Sequence, residues 1–190
     1  MLTTARPLFS WRFAGVADQG FTLIELMVVL ALVALFALIG IPSYRSVTTR
    51  NRMAAEMNAL VGDLQYARSE AIKRGHDVDV CATDAQSAPD CLGANATQWS
   101  GGWVVYAPAF AGNITHVLRV QAALQGHDTL ATNAASNPGV IAFNRNGFAP
   151  GVQQTFVLND AAGAAQQRRC AVLSTVGGIS IRTAGEPSCP

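Results

Sequence analysis

From Leu26 to Ile41 every position is apolar or glycine, and no charged side chain occurs between Glu25 and Arg45. This run is close to the ~20 apolar residues that an α-helix needs to cross the hydrocarbon core of a bilayer. It is apolar on all sides, as a lipid-facing helix must be. Gly40 and Pro42 then interrupt it. Pro42 lacks the N–H for an i→i−4 bond and predicts either a kink or the end of the helix at the membrane surface. Beyond Pro42 the pattern turns amphipathic. Met53, Met57, Leu60, Val61, Leu64, Ala67 and Ala71 recur at three- and four-residue steps, with Arg52, Glu56, Asp63, Arg68, Glu70 and Lys73 between them. One long helix from Phe21 to about Arg74 is expected, its second half turning one face to a packed domain. Lys73 and Arg74 suit the negative end of the helix dipole, and Gly75 is a natural residue just past it.

After Gly75 the pattern changes to short β-like runs separated by turn residues. The runs are Val78–Ala82, Trp103–Tyr106, Thr115–Val120, Val140–Phe143, Thr155–Leu158, Cys170–Ser174 and Ile179–Arg182. Between them stand Ser100-Gly101-Gly102, Asn137-Pro138-Gly139, Asn146-Gly147 and Gly177-Gly178, the last read as a tight hairpin. The stretch from about Gln121 to Asn137, rich in Ala, Thr and Asn, fits no element. One helix followed only by strands predicts an α+β architecture, with an antiparallel β-sheet packed on the helix.

Composition adds the compartment and removes some functions. Half of the 190 residues are hydrophobic and 13% are charged, but the N-terminal helix holds much of that excess, leaving an ordinary soluble domain behind it. Without residues 1–20 the chain loses Arg6, Arg12 and Asp18 and keeps 11 basic and 11 acidic residues. As a whole it is then no electrostatic ligand for nucleic acid. Four cysteines fall into two local pairs, Cys81 with Cys91 and Cys170 with Cys189, without a CxxC. His76, His116 and His127 lack metal-ligand spacing, so neither zinc nor any other metal or cofactor is expected. An even cysteine count outside the apolar run favours disulfides in an oxidising compartment such as a periplasm.

A single carboxylate, Glu25, stands at the mouth of the apolar run, five residues after Gly20. An unpaired charge there costs roughly a few kcal/mol in lipid, so a partner is expected for it. Gly20-Phe21-Thr22-Leu23-Ile24-Glu25 resembles the leader-cleavage motif of type IV pilins and type II secretion pseudopilins. The resemblance implies cleavage after Gly20 by a prepilin peptidase, methylation of the new amino terminus on Phe21, and pairing of Glu25 with the amino terminus of a neighbouring subunit. Residues 1–20 lack an apolar h-region and an A-x-A site, unlike an ordinary secretory signal. The expected organisation is a cleaved leader at 1–20, a transmembrane and assembly helix at 21–44, an amphipathic half at 45–75 and a periplasmic β-rich head at 76–190. Arg45, Arg50 and Arg52 outnumber Arg6 and Arg12, and by charge bias alone would keep that head in the cytoplasm. The cysteines and the leader motif point outward.

The resemblance narrows further along the chain. Ala67–Arg74 closing the helix, the strand into Cys81, Trp99, Gly102-Trp103-Val104-Val105-Tyr106 and Phe143-Asn144-Arg145-Asn146-Gly147 are similar to the GspH/FimT group of minor pilins and pseudopilins. Membership implies a low-copy subunit that primes or caps a filament. Its implied partners are other major and minor pilins, the prepilin peptidase, the inner-membrane assembly platform and the lipid bilayer. The implied location is the bacterial inner membrane, single-pass, and then a pilus or a type II secretion pseudopilus. Some members are implied DNA receptors through a Gly-Arg-x-Arg motif; here the corresponding Gly177-Gly178-Ile179-Ser180 has neither arginine. The remaining DNA-contact candidates are Arg168, Arg169 and Arg182.

No Walker A loop, H-E-x-x-H, G-x-S-x-G or G-x-G-x-x-G occurs, and no catalytic residue is assigned. Asp77 with Asp79 reads as solvent-facing strand positions rather than a catalytic pair. Trp99 and Trp103 read as packing residues rather than a platform for nucleobases.

Overall fold

The computed structural model describes residues 20–84, 90–108, 116–133 and 137–189. The expected leader up to residue 19, Thr115 at the start of one expected strand, and Pro190 lie outside the described residues. The chain divides into two compact units, Met1–Ser43 and Tyr44–Pro190.

Helix α1, Leu23–Arg74, is the only α-helix among the described residues. Pro42 lies inside it and does not end it. In the first unit every described side chain of the helix is exposed. In the second, Met53, Met57, Leu60, Leu64, Ala67 and Ala71 are fully buried, and Val61 packs at the edge of the same core. Burying each of the larger side chains stabilises the fold by roughly 1.5–3 kcal/mol. Asp63 and Glu70, expected on the polar face, are buried as well. Each has cationic or N–H donors in hydrogen-bond reach, which is what makes a buried carboxylate tolerable. The helix closes on Gly75, whose N–H donates to Ala71 O at 3.0 Å with φ at 70°.

The strands are β1 Val78–Ala82, β2 Trp103–Ala107, β3 His116–Gln121, β4 Thr129–Thr132, β5 Val140–Phe143, β6 Gln154–Asn159, β7 Arg169–Leu173 and β8 Ile179–Thr183. They form two antiparallel sheets rather than the one expected, in the orders β3-β2-β1-β5 and β4-β6-β7-β8. The inner side chains of both, including Val80, Trp103 and Phe143 from the first and Leu130, Phe156 and Leu173 from the second, join the helix stripe in one core. Strand β4 lies in the stretch that carried no sequence signal. Only Leu130 in it is strongly apolar, while Thr132 is buried beside it. Tertiary pairing rather than propensity makes it a strand: it lies along β6 and is bridged on its other side by Gln98. The Gly177-Gly178 turn does join a hairpin, β7 to β8, over the five residues from Ser174 to Gly178. At Gly177 φ is 76°, and a Cβ there would collide with the carbonyl of Gly147, so glycine lets the two turns meet.

Candidate assembly site

Helix α1 begins with a side-chain cap that the sequence reading did not name. Thr22 Oγ1 accepts from the Glu25 N–H at 3.3 Å, and Thr22 O accepts from the Leu26 N–H at 3.1 Å. Thr22 is therefore the N-cap, and Glu25 stands three residues in, at the acidic position of a capping box. The signal was available as Thr-x-x-Glu directly before an apolar run. The positive end of the helix dipole favours a carboxylate in this turn, yet every residue from Leu26 to Ile41 behind it is exposed and apolar. Phe21 ahead of it is 82% exposed. A capped, charged turn followed by four turns of bare hydrocarbon is suited to a lipid or protein environment that also supplies a cation. Gly20 is described and exposed, and a side chain added there would meet nothing.

Both cysteine pairs are bonded: Cys81 to Cys91 and Cys170 to Cys189, each with Cα atoms 5.6 Å apart. The second ties the end of the chain back to β7.

The three arginines named as DNA candidates do not form one patch. Arg169 pairs with Thr183 and Cys170 with Arg182 in the β7–β8 register. Adjacent strand positions alternate faces, so Arg182 lies on the face opposite Arg169. Arg182 also pairs with Glu186 at 3.8 Å. Arg168 and Arg169 share a cleft with Arg50 of α1 instead.

Trp99 and Trp103 are fully buried and offer no stacking platform. Trp99 meets Phe156 edge to face at 5.1 Å and donates from Nε1 to Pro138 O at 3.1 Å. Trp103 Nε1 donates to Asp63 Oδ2 at 2.9 Å, while Arg119 Nη1 donates to Asp63 Oδ1 at 2.8 Å and lies over the Tyr66 ring. Asp63 thus fastens β2 and β3 to the helix. Asp77 is exposed, whereas Asp79 is half-buried beside Tyr106. Burial raises the Asp79 carboxyl, and burial with the neighbouring Asp79 pushes the Tyr106 phenol up to about 12. Asp79 Oδ1 is buried without a hydrogen-bond partner, and Asp79 with Tyr106 reads as a half-buried contact across β1 and β2 rather than the accessible acid and base of a catalytic dyad.

Arg52, Glu56 and Asp128 form a third cluster. Arg52 donates from Nε and Nη2 to the two oxygens of Asp128, each at 2.8 Å. Glu56 Oε1 accepts from the Gln125 N–H at 2.9 Å, and Oε2 is buried without a hydrogen-bond partner. Burial, reinforced by the Asp128 charge, pushes Glu56 up to about 6.

A family model described as type II transport protein GspH matches residues 56–177, and one described as a prokaryotic N-terminal methylation motif matches residues 17–41. The chain is 33% identical to fimbrial protein EcpC of Eikenella corrodens over 125 residues, 64% of this chain and 78% of that one. It is 36% identical to a fimbrial protein of Pseudomonas aeruginosa over 74 residues, 39% of this chain and 47% of that protein. The chain thus spans about half the length of the first curated relatives it matches. The solved structure of the type IV minor pilin FimU of Pseudomonas aeruginosa superimposes with a TM-score of 0.55 at 24% identity, covering 73% of this chain and 94% of that one.

Proposed function

This chain belongs to the GspH family, whose fold and members are those of structural pilins rather than enzymes, and on that premise we propose that it is a minor pilin acting in type IV pilus assembly. The observation that carries the reading is the exposed apolar stretch Leu26–Ile41 behind the capped Glu25 and the Gly20-Phe21 junction. A prepilin peptidase removes residues 1–20 and methylates Phe21. Residues 21–44 hold the subunit in the bacterial inner membrane as a single-pass protein, and later pack among other pilin helices once the assembly platform extracts it. Residues 45–75 form the amphipathic half that carries the head, residues 76–190, in the periplasm, where its two disulfides are stable. Glu25 pairs with the amino terminus of a neighbouring subunit. The head selects which major and minor pilins adjoin it.

A second reading, a minor pseudopilin of type II secretion, is favoured by the description of the matched family. The fimbrial relatives favour the pilus. A tip DNA receptor is the least supported, because Arg182 faces away from Arg169. Deleting the gene and recovering surface pili by shearing tests the choice. Loss of pili, with the subunit present in wild-type sheared pili, is the expected result. Normal pili with a blocked secretion profile would overturn it in favour of the pseudopilus.

A further inference from the structure

Three arginines from two elements of the second unit converge on one cleft. Arg50 comes from α1, Arg169 from the first position of β7 and Arg168 from the residue before it, with Gln166, Gln167 and Thr183 completing a volume of about 260 Å³. Arg168 is held in place from outside the cleft, its Nε donating to Asn159 Oδ1 at 2.7 Å. Arg50 and Arg169 have no carboxylate within ion-pair reach among the described residues, whereas Arg52, Arg74 and Arg119 are each paired with an acid. Glu186, just beyond β8, is taken up by Arg182. Arg50 and Arg169, brought to one cleft with no carboxylate in reach among the described residues, repel one another there. Their planar forks match the oxygens of a phosphate.

We propose that this cleft binds the phosphate of an anionic phospholipid headgroup. Its small volume suits one phosphodiester group; a duplex is recognised by a row of cations along successive phosphates, and the row here stops because Arg182 lies on the other face of the sheet. Arg50 follows Ile41, the last residue of the apolar run, by nine positions. A chain anchored through that run is tethered where headgroup phosphates are concentrated and juxtamembrane cations are attracted. The inference rests on the membrane-anchoring part of the function proposed above. It adds a lipid contact for the head, one that the subunit must give up on entering a filament.

The test uses the full chain in an uncharged detergent, titrated with inorganic phosphate, with short-chain phosphatidylglycerol and with a short duplex DNA, read by native mass spectrometry and thermal stabilisation. Phosphatidylglycerol should bind more tightly than phosphate. Arg50→Gln and Arg169→Gln should each weaken it roughly tenfold, the loss expected of one charge-assisted contact, while Arg45→Gln, outside the cleft, should not. Unchanged denaturation midpoints establish that the variants fold. Lipid binding that survives both substitutions overturns the proposal, as does phosphate binding as tight as lipid. DNA that displaces the lipid overturns it in favour of a nucleic-acid site. Alkaline extraction of host membranes reads the anchoring separately: a chain released by it fails that reading, whatever the cleft binds.

Discussion

Arg52 closes a two-point clamp on Asp128, 76 residues further along the chain, with both N–H···O distances at 2.8 Å. The Asp128 side chain is fully buried and the Arg52 side chain is 27% exposed. The clamp fixes the loop before β4 to the helix. Gly126 permits it, because its backbone presses on the guanidinium where a Cβ would collide.

Arg52→Ala leaves Asp128 buried and unpaired. The expected loss is about 2–3 kcal/mol, below the 3–5 of a fully enclosed pair because water reaches Arg52. Arg52→Lys should recover only part, since an ammonium cannot span both oxygens. Urea denaturation of the three proteins measures this, and a loss under about 0.5 kcal/mol in the alanine variant would show the clamp to be incidental.

Glu56 makes stability depend on pH with an unusual sign. Burial raises its folded pKa from 4.5 to about 6, so between these values the folded state binds more protons than the unfolded one. Its contribution to stability therefore falls as pH rises through that window. After allowance for solvent screening the effect is about 1 kcal/mol. Glu70 has the opposite sign: hydrogen bonding from Arg74 holds it below its ordinary value, so its contribution is lost only under more acidic conditions. Glu56→Gln should accordingly be more stable than wild type at pH 7 and lose that advantage by pH 4.5. Denaturation midpoints at the two pH values decide it; an equal difference at both would exclude titration of Glu56.

Glu25→Ala should insert into membranes as wild type does, yet be depleted in the filament roughly tenfold for every 1.4 kcal/mol of pairing lost. The subunit's share in sheared pili against total membrane is the measurement, with equal shares excluding a role for the carboxylate. In the same preparations, amino-terminal sequencing should begin at methylated Phe21.

The two disulfides close loops with sequence separations of 10 and 19. Chain entropy gives about 3 kcal/mol for each. Cys170→Ser with Cys189→Ser should lose about that much, with proteolysis concentrated after Thr183, because the tail then has no covalent tie to β7. Limited proteolysis followed by mass analysis reads the site. An intact tail in the variant would show that the hydrogen bonds of Thr183 and Glu186 suffice.

What the sequence determined by itself is what neighbouring residues encode. The apolar run, the amphipathic stripe from Met53 to Ala71 and the closing Gly75 follow from helical periodicity, and the strands other than β4, which was not expected, follow from β-rich runs bounded by turns. The local cysteine pairs needed only short loops. What tertiary structure decided lies between residues far apart. It includes the division into two sheets, the making of a strand from Thr129–Thr132, and the burial of Asp63 under Trp103, 40 positions away. It also replaced Arg182 with Arg50 beside Arg168 and Arg169. A polar residue in an amphipathic pattern reads as solvent-facing until a donor from another strand arrives to satisfy it, and that arrival is a property of the packed chain.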